Sequence, residues 1–127
     1  MQCRGIRGAI TVPANDKGSI IAATKQLLNE IAQANEIEPK DIAAIFFTTT
    51  PDLTAEFPAA ATRELGWPPN LALLCGHEIN VPNELARCLR ILMLVNTEKG
   101  PEKITHVYLG EAAGLKNKAS QPIGGNS

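Results

Sequence analysis

Two arginines stand in stretches that otherwise read as strand, and they set the terms for any chemistry. Arg90 lies inside the apolar run 86–97, where Cys88, Leu92 and Leu94 share one parity and Leu89, Ile91, Met93 and Val95 the other. A guanidinium taken out of water is costly unless a negative group meets it. Two partners satisfy that need. One is a structural ion pair with Glu78 or Glu84. The other is a bound anion, because the planar fork grips a carboxylate through two charge-assisted hydrogen bonds. Arg7 lies in the run 3–12, shares its face with Gly5 and Ala9, and is followed by Gly8. Such small neighbours leave room for a ligand beside the guanidinium; a solvated edge-strand arginine is the plain alternative. Arg4 projects from the opposite face. Two strand arginines in one small domain suit a dianionic or dicarboxylate ligand.

Other reactive types are fewer. Glu78 follows the short run 71–75 on an irregular segment, where functional side chains concentrate. It suits a general acid or base, a hydrogen-bond acceptor for a substrate hydroxyl, or an exposed loop carboxylate. Cys75-Gly76-His77 invites a Cys/His nucleophile reading, but that needs a lowered thiol pKa and an orienting third group. A buried structural cysteine is the better reading, and a metal site has no further His or Cys at suitable spacing. Tyr108 is the one tyrosine, with His106 on the same parity, and serves equally as core or as ligand contact. Residues 110–114 lack the Gly-Lys-Ser/Thr of a phosphate loop.

The elements that must position these residues follow from periodicity. Residues 3–12 alternate as a strand, with Ile6, Ile10 and Val12 on one face. Asn15 or Asp16 can cap a helix reaching about Asn35, with Ile20, Thr24, Leu27, Leu28 and Ile31 as its apolar stripe. Residues 42–50 read as a strand buried on both faces. A shorter helix is predicted over 55–65, with Gly66 as its stop. Strands follow at 71–75, 86–97 and 104–109, the last two joined as a hairpin. The order β-α-β-α-β-β-β puts the chain in the α/β or α+β class with a mixed sheet, and the fold expected here is α+β, five strands with two helices on one face. Two helices cannot cover both faces of that sheet. A second copy of the chain is the simplest cover for the other.

Composition narrows the function classes. The 127 residues are 44% hydrophobic and 20% charged, with 12 basic against 13 acidic side chains and a net charge of -1. That balance argues against non-specific nucleic-acid binding, which needs an excess of cations. No apolar run approaches a membrane span, and the start lacks a signal-peptide core, so a cytoplasmic location is expected. Cys3, Cys75 and Cys88 are an odd number without a Cys-x-x-Cys, which disfavours a disulfide framework or structural zinc. Residues 1–116 read as one domain and 117–127 as a mobile tail.

Several segments together resemble one family. Arg4-Gly-Ile-Arg-Gly-Ala9, Thr50-Pro-Asp-Leu53, Phe57-Pro58 with Arg63-Glu64-Leu65, the step from Cys75 to Glu78, Arg87-Cys-Leu-Arg90 and His106-Val-Tyr-Leu109 are similar to the monofunctional chorismate mutases of the Bacillus type, the AroH class. The resemblance covers roughly residues 3–116 and rests on joint order and spacing. It implies a homotrimer forming a pseudo α/β barrel with active sites at subunit interfaces. It implies the [3,3] rearrangement of chorismate to prephenate, without metal or redox cofactor. It implies Arg90 as donor to the ether oxygen, Glu78 as the ionised acceptor for the ring hydroxyl, and Cys75 as a hydrogen-bonding neighbour of that hydroxyl. Arg7 and Tyr108 would hold carboxylates, Phe57 would supply a wall from across the interface, and Leu74 and Leu115 would line the site. Arg63 and Lys116 are further substrate-binding candidates, and the tail would serve as a lid.

At this point other readings compete. They are a trimeric module that binds a metabolite through Arg7 and Arg90 without turnover, an imine hydrolase or deaminase-like trimer, and a structural oligomer with an Arg90–Glu78 pair. The chain also departs from the family pattern. Ala60 stands where lysine is frequent, Lys116 where arginine is common and Leu74 where threonine is frequent. Lost rim charge weakens ground-state and transition-state binding alike, so it raises KM and spares kcat. Ala60→Lys is therefore expected to lower KM for chorismate with kcat unchanged; an unchanged KM in steady-state assays would count against it.

Overall fold

The computed structural model describes residues 1–115; Lys116 and the expected tail at 117–127 lie outside the described residues. The opening alternation forms strand β1 (Gln2–Thr11). Helix α1 (Lys17–Asn35) follows, and the Asp16 side chain caps it by accepting the Ser19 N–H at 2.7 Å. That bond holds the Asp16 carboxyl below the usual range. All five residues of the predicted stripe are buried. The helix ends at Glu36, whose left-handed φ of 54° turns its N–H back to the Ala32 and Gln33 carbonyls. Strand β2 (Ile42–Thr49), helix α2 (Ala60–Glu64), and strands β3 (Ala72–His77), β4 (Cys88–Thr97) and β5 (Val107–Leu109) complete the order.

The sheet runs β3-β2-β4-β1-β5 and is mixed. Strand β4 is central and antiparallel to both β1 and β2. Strands β3 and β5 lie at the edges, parallel to β2 and β1 respectively. The α+β class with two helices on one face is as expected, but the terminal hairpin is not. Both edges of β4 are taken by long antiparallel ladders, so the chain crosses to the free edge of β1. Helix α2 starts only at Ala60, after an irregular stretch through Pro58. Strand β4 starts at Cys88 rather than residue 86, because Arg87 takes φ 47° and breaks extended geometry. Strand β3 runs two residues further, pairing His77 with Thr49.

Ile6, Leu27, Leu28, Ile31, Phe47 and Met93 are fully buried between the helices and one sheet face. Helix α1 lies hard against β1 at Gly8, where an added Cβ would stand 2.6 Å from Ile31 Cδ1. The opposite face is open in the protomer: Phe46 is 37%, Leu92 40% and Leu74 63% exposed. The two-sided burial expected for β2 and β4 is therefore one-sided within a single chain.

A buried amide ties α1 to the approach of β5. Asn35 is fully buried; its Oδ1 accepts the Thr105 N–H at 2.7 Å and its Nδ2 donates to the Thr105 carbonyl at 2.9 Å. Asn35→Ala strands both groups and should destabilise the protein by about 1–3 kcal/mol. Urea unfolding would measure it, and a loss below about 0.5 kcal/mol would remove the clamp's importance.

Candidate active site

Side chains alternate across the sheet, so its register decides which residues meet. On the open face Thr48 opposes Arg90, Arg90 opposes Ala9, and Ala9 opposes Tyr108. The next row holds Leu74, Phe46, Leu92 and Arg7. A cavity of about 560 Å³ covers the first row and is lined by Arg7, Thr48, Glu78, Arg90, Tyr108 and Leu115, among others. Beyond it the turn Gly110–Gly114 folds over the sheet, and Ala112, Ala9 and Cys88 form a small buried cluster under Tyr108 and Leu115.

Arg90 is the group under tension. Its Nε is buried and has no hydrogen-bond partner among the described residues. No ion pair joins it to Glu78 among the described residues. Glu78 continues β3 by donating its N–H to the Thr49 carbonyl at 2.8 Å, and its carboxylate accepts the Thr48 hydroxyl. Thr48 thus holds a carboxylate at the rim of the cavity whose floor carries a cation. Burial pushes the Cys88 thiol up, against the pull of the neighbouring Arg90 charge.

The sequence-predicted residues divide. Arg7, Glu78, Arg90, Tyr108 and Leu115 come together. Phe57 and Cys75 line a second cavity of about 340 Å³ with Leu53 and His77. Cys75 sits there because it pairs with Phe47, whose side chain faces the helices. Burial pushes its thiol up, which suits a structural or donor role and not a nucleophile. Leu74 is on the open face, next to Phe46. Arg63 is exposed on α2 and lines neither cavity.

Two residues were not singled out for the roles they hold. Thr48 hid in a β-branched run, where threonine reads as strand propensity; its parity with Phe46 was the available signal. His106 accepts the Arg7 backbone N–H on Nδ1 at 2.9 Å, supplying the acceptor just before β5 begins at Val107.

The family described as Chorismate mutase type I matches residues 3–119. The chain belongs to that family. It is similar to the chorismate mutase AroH of Bacillus subtilis, 41% identical over 117 residues and 91% of each chain. The AroH chorismate mutase of Thermus thermophilus is 44% identical over 114 residues, 89% of this chain and 93% of that one. A solved structure, a chorismate mutase from Clostridium thermocellum, superposes with a TM-score of 0.86 at 48% identity. It covers 88% of this chain and 99% of its own. The family assignment suggested by the sequence motifs therefore stands.

Burial and the Arg7 charge hold the His106 pKa below its ordinary value. A neutral ring is thus favoured by the fold, and protonation favours unfolding. The contribution is complete above about pH 6.5 and is lost as pH falls through the folded-state value. His106→Asn keeps an acceptor but does not titrate. It should show less loss of thermal stability than the wild type between pH 7 and pH 5, and equal losses would contradict the assignment.

Proposed function

We propose that this protein converts chorismate to prephenate at the Arg90 cavity, completed by neighbouring copies in a homotrimer. The observation that carries the reading is the Arg90 guanidinium, with its Nε buried and unpartnered, facing a cavity rimmed by Glu78. The reaction is a unimolecular [3,3] shift in which an ether C–O bond breaks as a C–C bond forms. It needs no nucleophile and no obligatory proton transfer. A catalyst must select the diaxial conformer and stabilise charge that separates in the transition state. Arg90 donates to the ether oxygen as it gains negative charge. Glu78 accepts the ring hydroxyl and faces the positive ring fragment. Arg7 and Tyr108 hold the carboxylates, and Leu115 lines the wall.

The open face and the division of the site support an oligomer. Phe46, Leu74 and Leu92 are apolar and uncovered, as an interface requires. Phe57 and Cys75 stand apart from Arg90 in one chain, and a neighbouring copy brings them to the substrate, with Leu74 lining the site. Phe57 gives an apolar wall and the Cys75 thiol lies near the ring hydroxyl. Arg63 and Lys116 add charge at the rim. Among the described residues no helix is long and apolar enough to cross a membrane. A cytoplasmic location accompanies a role in making the precursor of phenylalanine and tyrosine.

The purified protein should consume chorismate, followed by ultraviolet absorbance, and yield prephenate. Arg90→Lys should lower kcat by about a hundredfold or more while the trimer persists, since one point donor cannot replace the fork. Sedimentation checks the trimer. Binding without turnover would replace the enzyme by the metabolite-binding module that uses the same arginines.

A further inference from the structure

Two of the segments that carried the resemblance, 50–53 and 87–90, are distant in sequence and meet in the fold. Asp52 is the hinge between them. Its Oδ2 accepts the Arg87 backbone N–H at 2.9 Å, and its Oδ1 accepts the Thr50 hydroxyl. Thr50 Oγ1 in turn accepts the Cys88 N–H at 3.0 Å, and the Thr50 N–H donates to the Cys88 carbonyl at 3.0 Å. On the other flank the Val12 N–H donates to the Arg87 carbonyl at 2.8 Å, and Arg87 Nε donates to the Val12 carbonyl at 3.0 Å. The chain just beyond β1 and β2 is thereby tied to the residue from which β4 departs.

Arg87 holds φ 47°, a left-handed conformation that its Cβ resists and that glycine would adopt freely. Something must hold it there. A carboxylate fits the place because both neighbours donate; an amide would turn an NH₂ toward one of them. Burial works to raise the Asp52 carboxyl, but the Thr50 hydroxyl, the Arg87 N–H and the Arg87 charge outweigh it and keep the group ionised. Cys88 opens β4, and Arg90 is the next residue on the same face. A turn of the strand at Arg87 therefore swings the guanidinium.

We propose that Asp52 is a positioning residue for Arg90: by holding Arg87 in its left-handed turn it fixes where and at what angle β4 begins. The proposal rests on the reading that Arg90 is the donor of the rearrangement. The test compares wild type, Arg90→Lys, Asp52→Asn, Arg87→Gly and the Asp52→Asn/Arg87→Gly double variant with chorismate, below the melting temperature of each. Asp52→Asn should lower kcat about tenfold to hundredfold, the scale of a small misplacement of a catalytic group, with KM nearly unchanged. Arg87→Gly should keep kcat within about twofold, because glycine takes the turn unaided. The double variant should match Arg87→Gly alone.

Asp52→Asn with wild-type kcat and only a lowered Tm would overturn the proposal. So would an equal loss of kcat in the Arg87→Gly background. If Asp52→Asn does not fold, the double variant decides: folded and active supports the proposal, unfolded overturns it. No wild-type turnover would remove the underlying reading and the proposal with it. Turnover lost in Arg90→Lys but kept in Asp52→Asn would overturn the proposal alone.

Discussion

A cation fixed in the central strand of the sheet is the constraint around which the rest is arranged. Strand β4 has no free edge, so Arg90 is held by a ladder on each side and depends on the start of the strand at Arg87 for its angle. Its flanking positions on the open face are Ala9 and Thr48. Ala9 is small enough to leave a ligand room, and Thr48 is polar enough to hold a carboxylate nearby. With its Nε unpartnered among the described residues, the guanidinium has bonding capacity left for an acceptor. On the proposed reading, a preorganised donor of this kind does not have to reorganise as charge develops.

The two faces of the sheet divide the labour. The helix side is filled by Ile, Leu and Phe at native packing and tolerates no change as close as a methyl group at Gly8. The other side carries the polar groups of the site next to uncovered apolar side chains. One face thus holds the strands in register so that the other can present side chains at fixed separations. A site built on strands is held more tightly than one built on loops. Among the described residues Glu78, Glu84 and Leu115 reach the cavity from outside the strands, and Glu78 is steadied by its N–H bond to Thr49.

Much of this was legible in the sequence. The α1 stripe was readable because its period belongs to the helix alone, and Arg7 and Arg90 because a charge stands out in a strand. What stayed hidden depended on partners distant along the chain. The pairing of β5 with β1 turns on β4 having both edges filled, which no local pattern reports. Asn35 reads as a polar helix end until Thr105 is placed against it. Cys75 and Glu78 lie three residues apart, yet the pleat sends the thiol toward the helices while the carboxylate meets the open face. The motif resemblance grouped them as one site, and only the register separates them within a chain.

The pairing of Gln2 with Thr97 has a consequence for how the molecule is made. The earliest of the five strands finds its principal partner only after most of the domain has been made. Until then α1 has no complete sheet to lie on, and β1 keeps both its edges unpaired. Folding through such distant closures is slow for a domain of this size, because loop entropy is spent before contacts repay it. Arg7 and Arg90 accordingly become neighbours only once β4 has been made. A chain that ends before β4 carries Arg7 but not the cavity that it shares with Arg90.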